Sequence, residues 1–180
     1  MSNIMTIKNN RKCALLLGLA LTGGLSAAGA SPARLASQSD LGKMWRTGGL
    51  LPASQVTVNG QGFKTAVSFT SSKKSAHSWD AQSGTNPKMA LRQGDALLAT
   101  FFVRSAQPAT GGQIVFSVEG GPRYERSVWQ DIKINSKWKK VSVPFKSKGT
   151  YGAGKWQITF KMGSMAQTVQ IANFQMVKTA

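Results

Sequence analysis

Arg92-Gln93-Gly94-Asp95-Ala96-Leu97-Leu98-Ala99-Thr100-Phe101-Phe102-Val103-Arg104-Ser105 is the stretch that decides the fold. Gln93-Gly94-Asp95 is a turn, and the Asp95 side chain is suited to bond nearby backbone there. A long apolar run follows and ends in Arg104. Further on, Lys137-Trp138-Lys139-Lys140-Val141-Ser142-Val143-Pro144-Phe145 gives a second strand, in which Val141, Val143 and Phe145 share one face.

The same alternation runs outward from this centre. Ile114, Phe116 and Val118 face one way, and Val115, Ser117 and Glu119 the other. Trp156, Ile158 and Phe160 form an apolar set, while Lys155, Gln157, Thr159 and Lys161 form a polar face. Burying one such apolar side chain contributes about 1.5–3 kcal/mol, which marks the three apolar sets as core. Strands are expected at 55–58, 64–69, 89–91, 96–104, 112–119, 127–134, 139–144, 154–162 and 168–177. Turn signals separate them at Asn59-Gly60, Gly111-Gly112, Gly120-Gly121-Pro122, Asn135-Ser136 and Gly163-Ser164. No run has the period of a long amphipathic helix, and no internal repeat is present. Short strands at this spacing predict an all-β chain, a β-sandwich or jelly roll over 55–180.

The first thirty residues read as a signal peptide. Lys8, Arg11 and Lys12 precede an apolar run from Cys13 to Leu25, and Ala28-Gly29-Ala30 is a cleavage site before Ser31. The run is short for a membrane span, which needs about 20 apolar residues. Cys13 lies too early to take a lipid, so no stable membrane insertion is expected after cleavage. Cleavage removes the only cysteine and leaves 20 basic and six acidic residues, a net charge of +14 against +17 for the full 180 residues. About 150 residues remain, enough for one domain. Residues 31–54 are expected to be a flexible N-terminal segment. Within them 40–46 suits one or two helical turns capped by Ser39 or Asp40, and Thr47-Gly48-Gly49 ends the helix.

The order of pieces resembles the β-sandwich carbohydrate-binding modules of families 4, 9 and 22, of the galactose-binding-like jelly-roll type. The likeness is nearest to the modules that precede catalytic domains in bacterial family 10 xylanases. It spans about 56–177. Phe63, Trp79-Asp80-Ala81-Gln82, the Gly94-Asp95 turn, Phe101-Phe102-Val103-Arg104, Trp138 to Phe145, Tyr151-Gly152-Ala153-Gly154 and Val169 to Phe174 carry it. The resemblance implies a ligand groove on a concave sheet and no catalysis. Two positions depart from the pattern. Ser68, in what the resemblance makes the first strand of the groove, stands where many relatives have a sugar-bonding Arg. Ala172, beside Asn173, stands where relatives often have an Asp that helps hold a structural calcium. Calcium wants six to eight oxygens, so no cofactor is expected here.

The six acids are Asp40, Asp80, Asp95, Glu119, Glu125 and Asp131. A glycosidase needs two carboxyls facing across a cleft, and no such pair is legible. His77 is the only histidine, so no multi-His metal site or triad is apparent. For binding, a flat ring stacks on the apolar face of a pyranose, and planar polar groups bond its hydroxyl rim. Trp79 is the first candidate, because its surroundings, 75–84, are polar. Tyr124 and Trp129 follow, although Val128 and Ile132 beside Trp129 also suit a core position. Trp138 reads as a core residue. Gln82 suits the rim. Arg104 is expected to enter the groove or to pair with an acid such as Glu119.

The reading is therefore a secreted or periplasmic, non-catalytic polysaccharide binder, with a β-glycan such as xylan implied by the resemblance. The basic charge is read either as attraction to an anionic polymer or as a solvated basic surface, and a binder of anionic polysaccharide or cell-surface polymer is the second reading. A structural β-sandwich without sugar binding is the third reading. No nucleic acid partner is expected, because the signal sends the protein out of the cytoplasm, and the sequence leaves the oligomeric state open. N-terminal sequencing of the exported chain is expected to begin near Ser31. A sequence beginning at Met1 contradicts this.

Overall fold

The computed structural model describes residues 32–179, so the expected signal peptide and Ser31 lie outside the described residues. In chain order the elements are β1 (Ala33–Ser37), α1 (Gln38–Leu41), β2 (Trp45–Arg46), β3 (Ser54–Thr57), β4 (Thr65–Ser71), a 3-10 turn (Ser78–Asp80) and β5 (Gln82–Thr85). Then come β6 (Ala96–Gln107), β7 (Gly112–Gly120), β8 (Glu125–Ile134), β9 (Lys139–Lys146), β10 (Trp156–Lys161) and β11 (Gln167–Lys178). Two antiparallel sheets face each other. One runs β3-β4-β11-β6-β9, with β1 beside β11, and the other runs β2-β5-β10-β7-β8. From β1 to β11 the chain changes sheet at every connection except β3–β4 and β7–β8. This is the β-sandwich that the strand pattern predicts.

The period of two decides which side chains enter the core. Along β6, Leu97, Ala99, Phe101 and Val103 are buried between the sheets, and Leu98, Thr100, Phe102 and Arg104 point to the other face. Phe101 meets Phe116, Phe160 and Phe174 with ring centroids 5.6, 5.2 and 6.3 Å apart, tilted or edge-on. Such arrangements add about 0.5–1.5 kcal/mol per pair beyond the burial of area. The rings come from both sheets, so this cluster fixes how the two layers face each other. The sets Ile114/Phe116/Val118 and Trp156/Ile158/Phe160 are buried as expected. Val141 and Val143 are buried too, and Phe145 is half-buried.

Three expectations are corrected. Residues 89–91 form no strand. Leu91 makes a single bridge to Tyr151, because Gly94 turns the chain immediately afterwards. The strand Gln82–Thr85 lies in the polar stretch after Trp79, where alternation gives no apolar signal.

The third correction concerns 31–54, expected to be flexible. Its described part is built into the sandwich. Ala33–Ser37 pairs with the far half of β11, below the β4–β11 pairing. Leu35, Ala36, Leu41 and Met44 are buried. The helix starts earlier than expected, with Ser37 as N-cap, and the Ser37 N–H donates to the Asp40 carboxylate at 2.7 Å. Asn173 adopts a left-handed conformation (φ 49°) where β11 bulges against β6. The Phe174 N–H in that bulge donates to Gln38 Oε1 at 3.1 Å. The segment thus satisfies a group that the sheet leaves over. Leu41→Ala is expected to cost about 2–5 kcal/mol in urea unfolding. A change below about 0.5 kcal/mol, ordinary for an exposed position, contradicts the docking of this segment.

Candidate functional site

The face of the β2-β5-β10-β7-β8 sheet turned away from the core is the polar face predicted from Gln157, Thr159 and Lys161. It is not a solvated face, because Thr159, Lys161, Ser117 and Glu119 are all buried. Buried polar groups need partners, and here they supply each other. The Ser117 and Thr159 hydroxyls share a hydrogen bond of 2.7 Å. Lys161 Nζ, on a residue only 2% exposed, donates to Gln82 Oε1 at 3.0 Å and lies 3.3 Å from both Glu119 oxygens. Gln157 Nε2 donates to Glu119 Oε2 at 3.0 Å. Burial pushes the Lys161 ammonium below the ordinary lysine value, and the Glu119 charge opposes that shift.

Aromatic walls rise from this floor. Trp79 projects from the 3-10 turn and is 41% exposed. His77 stacks behind it at 4.5 Å with planes 10° apart. The turn is pinned at its base. The His77 N–H donates to Asp80 Oδ2 at 2.9 Å, and the Gly163 N–H donates to the Ser78 carbonyl at 2.9 Å. A Cβ on Gly163 would lie 2.6 Å from the His77 carbonyl oxygen, so only glycine admits this seat. Trp129 of β8 stands at 71° to Trp79, with centroids 6.2 Å apart. The Arg126 guanidinium lies 4.0 Å over the Trp129 ring, and Lys161 Nζ lies 5.1 Å from the same centroid. Trp45 of β2 lies against Gly84 of β5, where a Cβ would come within 2.6 Å of its ring. Its indole N–H donates to Asn86 Oδ1 at 2.9 Å.

These walls enclose an open cleft of about 510 Å³. A second cavity of about 210 Å³ adjoins it between the Gly120–Tyr124 turn and Gly154–Lys155, and shares Glu119, Tyr124 and Gln157 with it. Ligand clefts commonly have volumes of about 300–1,000 Å³.

Five of the six residues picked from the sequence, Trp79, Gln82, Glu119, Tyr124 and Trp129, line this one cleft. Arg104 does not. Its strand belongs to the other sheet, where it points outward, lies 4.8 Å over the Trp138 ring and donates from Nε to Gln170 Oε1 at 2.8 Å. Glu119 takes Lys161 and Arg126 as its ionic partners instead. Trp138 is half-buried in a small cluster with Phe63 and Phe102 on that outer face, not in the main core. Sequence reasoning missed Trp45, Arg126, Gln157 and Lys161 as cleft residues. Trp45 lies in the segment assigned as flexible. Gln157 and Lys161 were legible as one face of a strand, but not as the floor of a cleft. The calcium position does not fit a cation, since Ala172 is fully buried and has no side-chain oxygen. Among the described residues no three His, Cys, Asp or Glu side chains come together.

Neither a family model nor a curated protein matches the sequence. Solved structures do match in fold. The second N-terminal cellulose-binding domain of Cellulomonas fimi β-1,4-glucanase C superposes with a TM-score of 0.60 at 18% identity, over 83% of this chain and 97% of that domain. A family 22 xylan-binding domain from Paenibacillus barcinonensis gives 0.56 at 12% identity, over 83% and 98%. An α-L-arabinofuranosidase of family 51 gives 0.62 at 10% identity, and this chain spans only 27% of its length. The chain has the β-sandwich fold of family 4 and family 22 carbohydrate-binding modules.

Removing one partner of a buried ion pair strands the other charge and costs about 3–5 kcal/mol. Glu119→Gln is therefore expected to lower the stability in urea unfolding by that order. The double variant Glu119→Gln/Lys161→Met is expected to recover most of the loss, because no buried charge remains unpaired. Equal stability of Glu119→Gln and the wild-type chain contradicts the ion pair.

Proposed function

We propose that this chain is an exported, non-catalytic module that binds a polysaccharide in the cleft of the β2-β5-β10-β7-β8 sheet. The observation that carries the reading is Trp79. A large ring left 41% exposed, backed by His77 and held by a pinned turn at the rim of an open cleft, is a prepared stacking surface. Trp129 and Trp45 extend the aromatic lining, and Gln82, Gln157 and Tyr124 bring planar or hydroxyl groups to the sugar rim. Rigid aromatic walls cost little entropy on binding, because the rings are already fixed. The fold shared with domains named as cellulose- and xylan-binding supports the same reading and makes a β-glycan such as xylan the first ligand to test. Export follows the charged, apolar and cleavage-site order of residues 1–30.

The chemistry of the cleft supports binding over hydrolysis. Its lining carboxylate, Glu119, is 5% exposed and held by Lys161, Gln157 and Arg126. Hydrolysis of a glycosidic bond ordinarily takes two carboxyls about 5–9.5 Å apart across the bond.

Trp79→Ala is expected to weaken retention on insoluble or gel-embedded polysaccharide about tenfold or more, the effect of about 1.4–2 kcal/mol at a buried anchor. The melting temperature should hardly move, because Trp79 lies outside the core. Unchanged retention of the variant sinks the reading, and so does unfolding of the variant, which would make Trp79 a core residue.

A further inference from the structure

The two adjoining cavities differ in charge from what a neutral sugar would call for. Their lining contains one carboxylate, Glu119, and three cations, Arg126, Lys161 and Lys155. Glu119 is buried and already bonded, so it offers little to a ligand hydroxyl. Lys161 is matched by Glu119 and Gln82. Arg126 is matched more loosely than Lys161. Its side chain is 55% exposed, and its Nε approaches Glu119 Oε1 only to 3.8 Å. Its guanidinium makes no hydrogen bond to any described residue and rests flat on Trp129, covering a ring face that a sugar would otherwise use. Lys155, exposed at the mouth of the second cavity, adds a further positive charge on the same side.

We propose that the cleft selects a glycan bearing carboxylates, a uronic-acid polymer, with Arg126 as the partner of one carboxylate. This rests on the glycan-binding reading above and names its substrate class. A planar guanidinium with several free donors matches a carboxylate in a two-pronged geometry, which a neutral hydroxyl cannot provide. Swinging toward such a group, Arg126 uncovers Trp129 for stacking beside Trp79, so charge pairing and ring contact arise together. The net charge of +14 left once residues 1–30 are removed draws a polyanion toward the cleft from a distance, an effect that salt screens.

The experiment compares polygalacturonate with the same polymer after chemical reduction of its carboxyls, with unsubstituted xylan and cellulose alongside, at low and physiological salt. The expected result is at least tenfold tighter binding to the acidic polymer. Arg126→Gln should lose at least fivefold on the acidic polymer and little on the reduced one. The remote double variant Lys139→Glu/Lys140→Glu removes more positive charge, yet should lose less than Arg126→Gln at physiological salt. Equal binding of acidic and reduced polymers, both lost in Trp79→Ala, overturns the carboxylate inference and leaves the glycan reading standing. A larger loss in the Lys139/Lys140 variant than in Arg126→Gln overturns it in favour of unspecific charge attraction. Binding to none of the four polymers overturns the glycan reading itself, and the inference with it.

Discussion

A lysine ammonium with almost no exposure to water governs the architecture of the cleft. Lys161 ends β10, a strand whose other face inserts Trp156, Ile158 and Phe160 into the core. Once the core fixes that strand, the position of Lys161 is fixed as well. Its charge must then be answered from neighbouring strands, by Gln82 of β5 and Glu119 of β7. Gln157 completes the set on Glu119. A floor so interlocked cannot shift one residue without stranding another, because a buried unpaired charge costs several kcal/mol. Packing on one face of the strand thus sets the polar geometry of the other.

The walls are held by a different kind of constraint, the close approach of backbone. Gly84 lets Trp45 lie on the floor, and Gly163 lets the His77–Asp80 turn sit against the end of β10. In both places a methyl group would collide with a ring or a carbonyl at less than 3 Å. The aromatic surface is therefore positioned by glycines that themselves touch no ligand. The N-terminal segment completes this side of the molecule. It delivers Trp45 to the cleft, while β1 and α1 cover the lower half of β11 and supply the Gln38 acceptor to the bulge.

The two outer faces of the sandwich illustrate how context changes equal chemistry. Arg104 over Trp138 and Arg126 over Trp129 are similar cation–ring pairs. Arg104 is also bonded to Gln170 and lies over Trp138, a member of a small apolar cluster with Phe63 and Phe102. Arg126 has no comparable hydrogen bond and borders an open cleft. The first pair closes a surface, whereas the second leaves a donor group free beside a cavity.

The sequence by itself determined the two-layer β architecture, because alternation is a local property with a period of two. Phe101, Ile114, Phe116, Ile158 and Phe160 could be assigned to the core from their neighbours in the chain alone. It also pointed to Trp79, since a tryptophan in a polar stretch has no core of its own to enter, and five of the six picked residues share one cleft. It could not say that Arg104 and Glu119 lie on opposite sheets, because a strand's pattern tells which residues share a face and not which sheet the strand joins. Nor could it show that Lys161 is buried, that Trp45 borders Gly84, or that 33–41 is docked. Each of these depends on contacts between segments about 40 to 140 residues apart, brought together by a chain that crosses between sheets at nearly every turn. Those long-range pairings follow from burying both sheets' apolar faces at once, a condition that only the whole fold can satisfy.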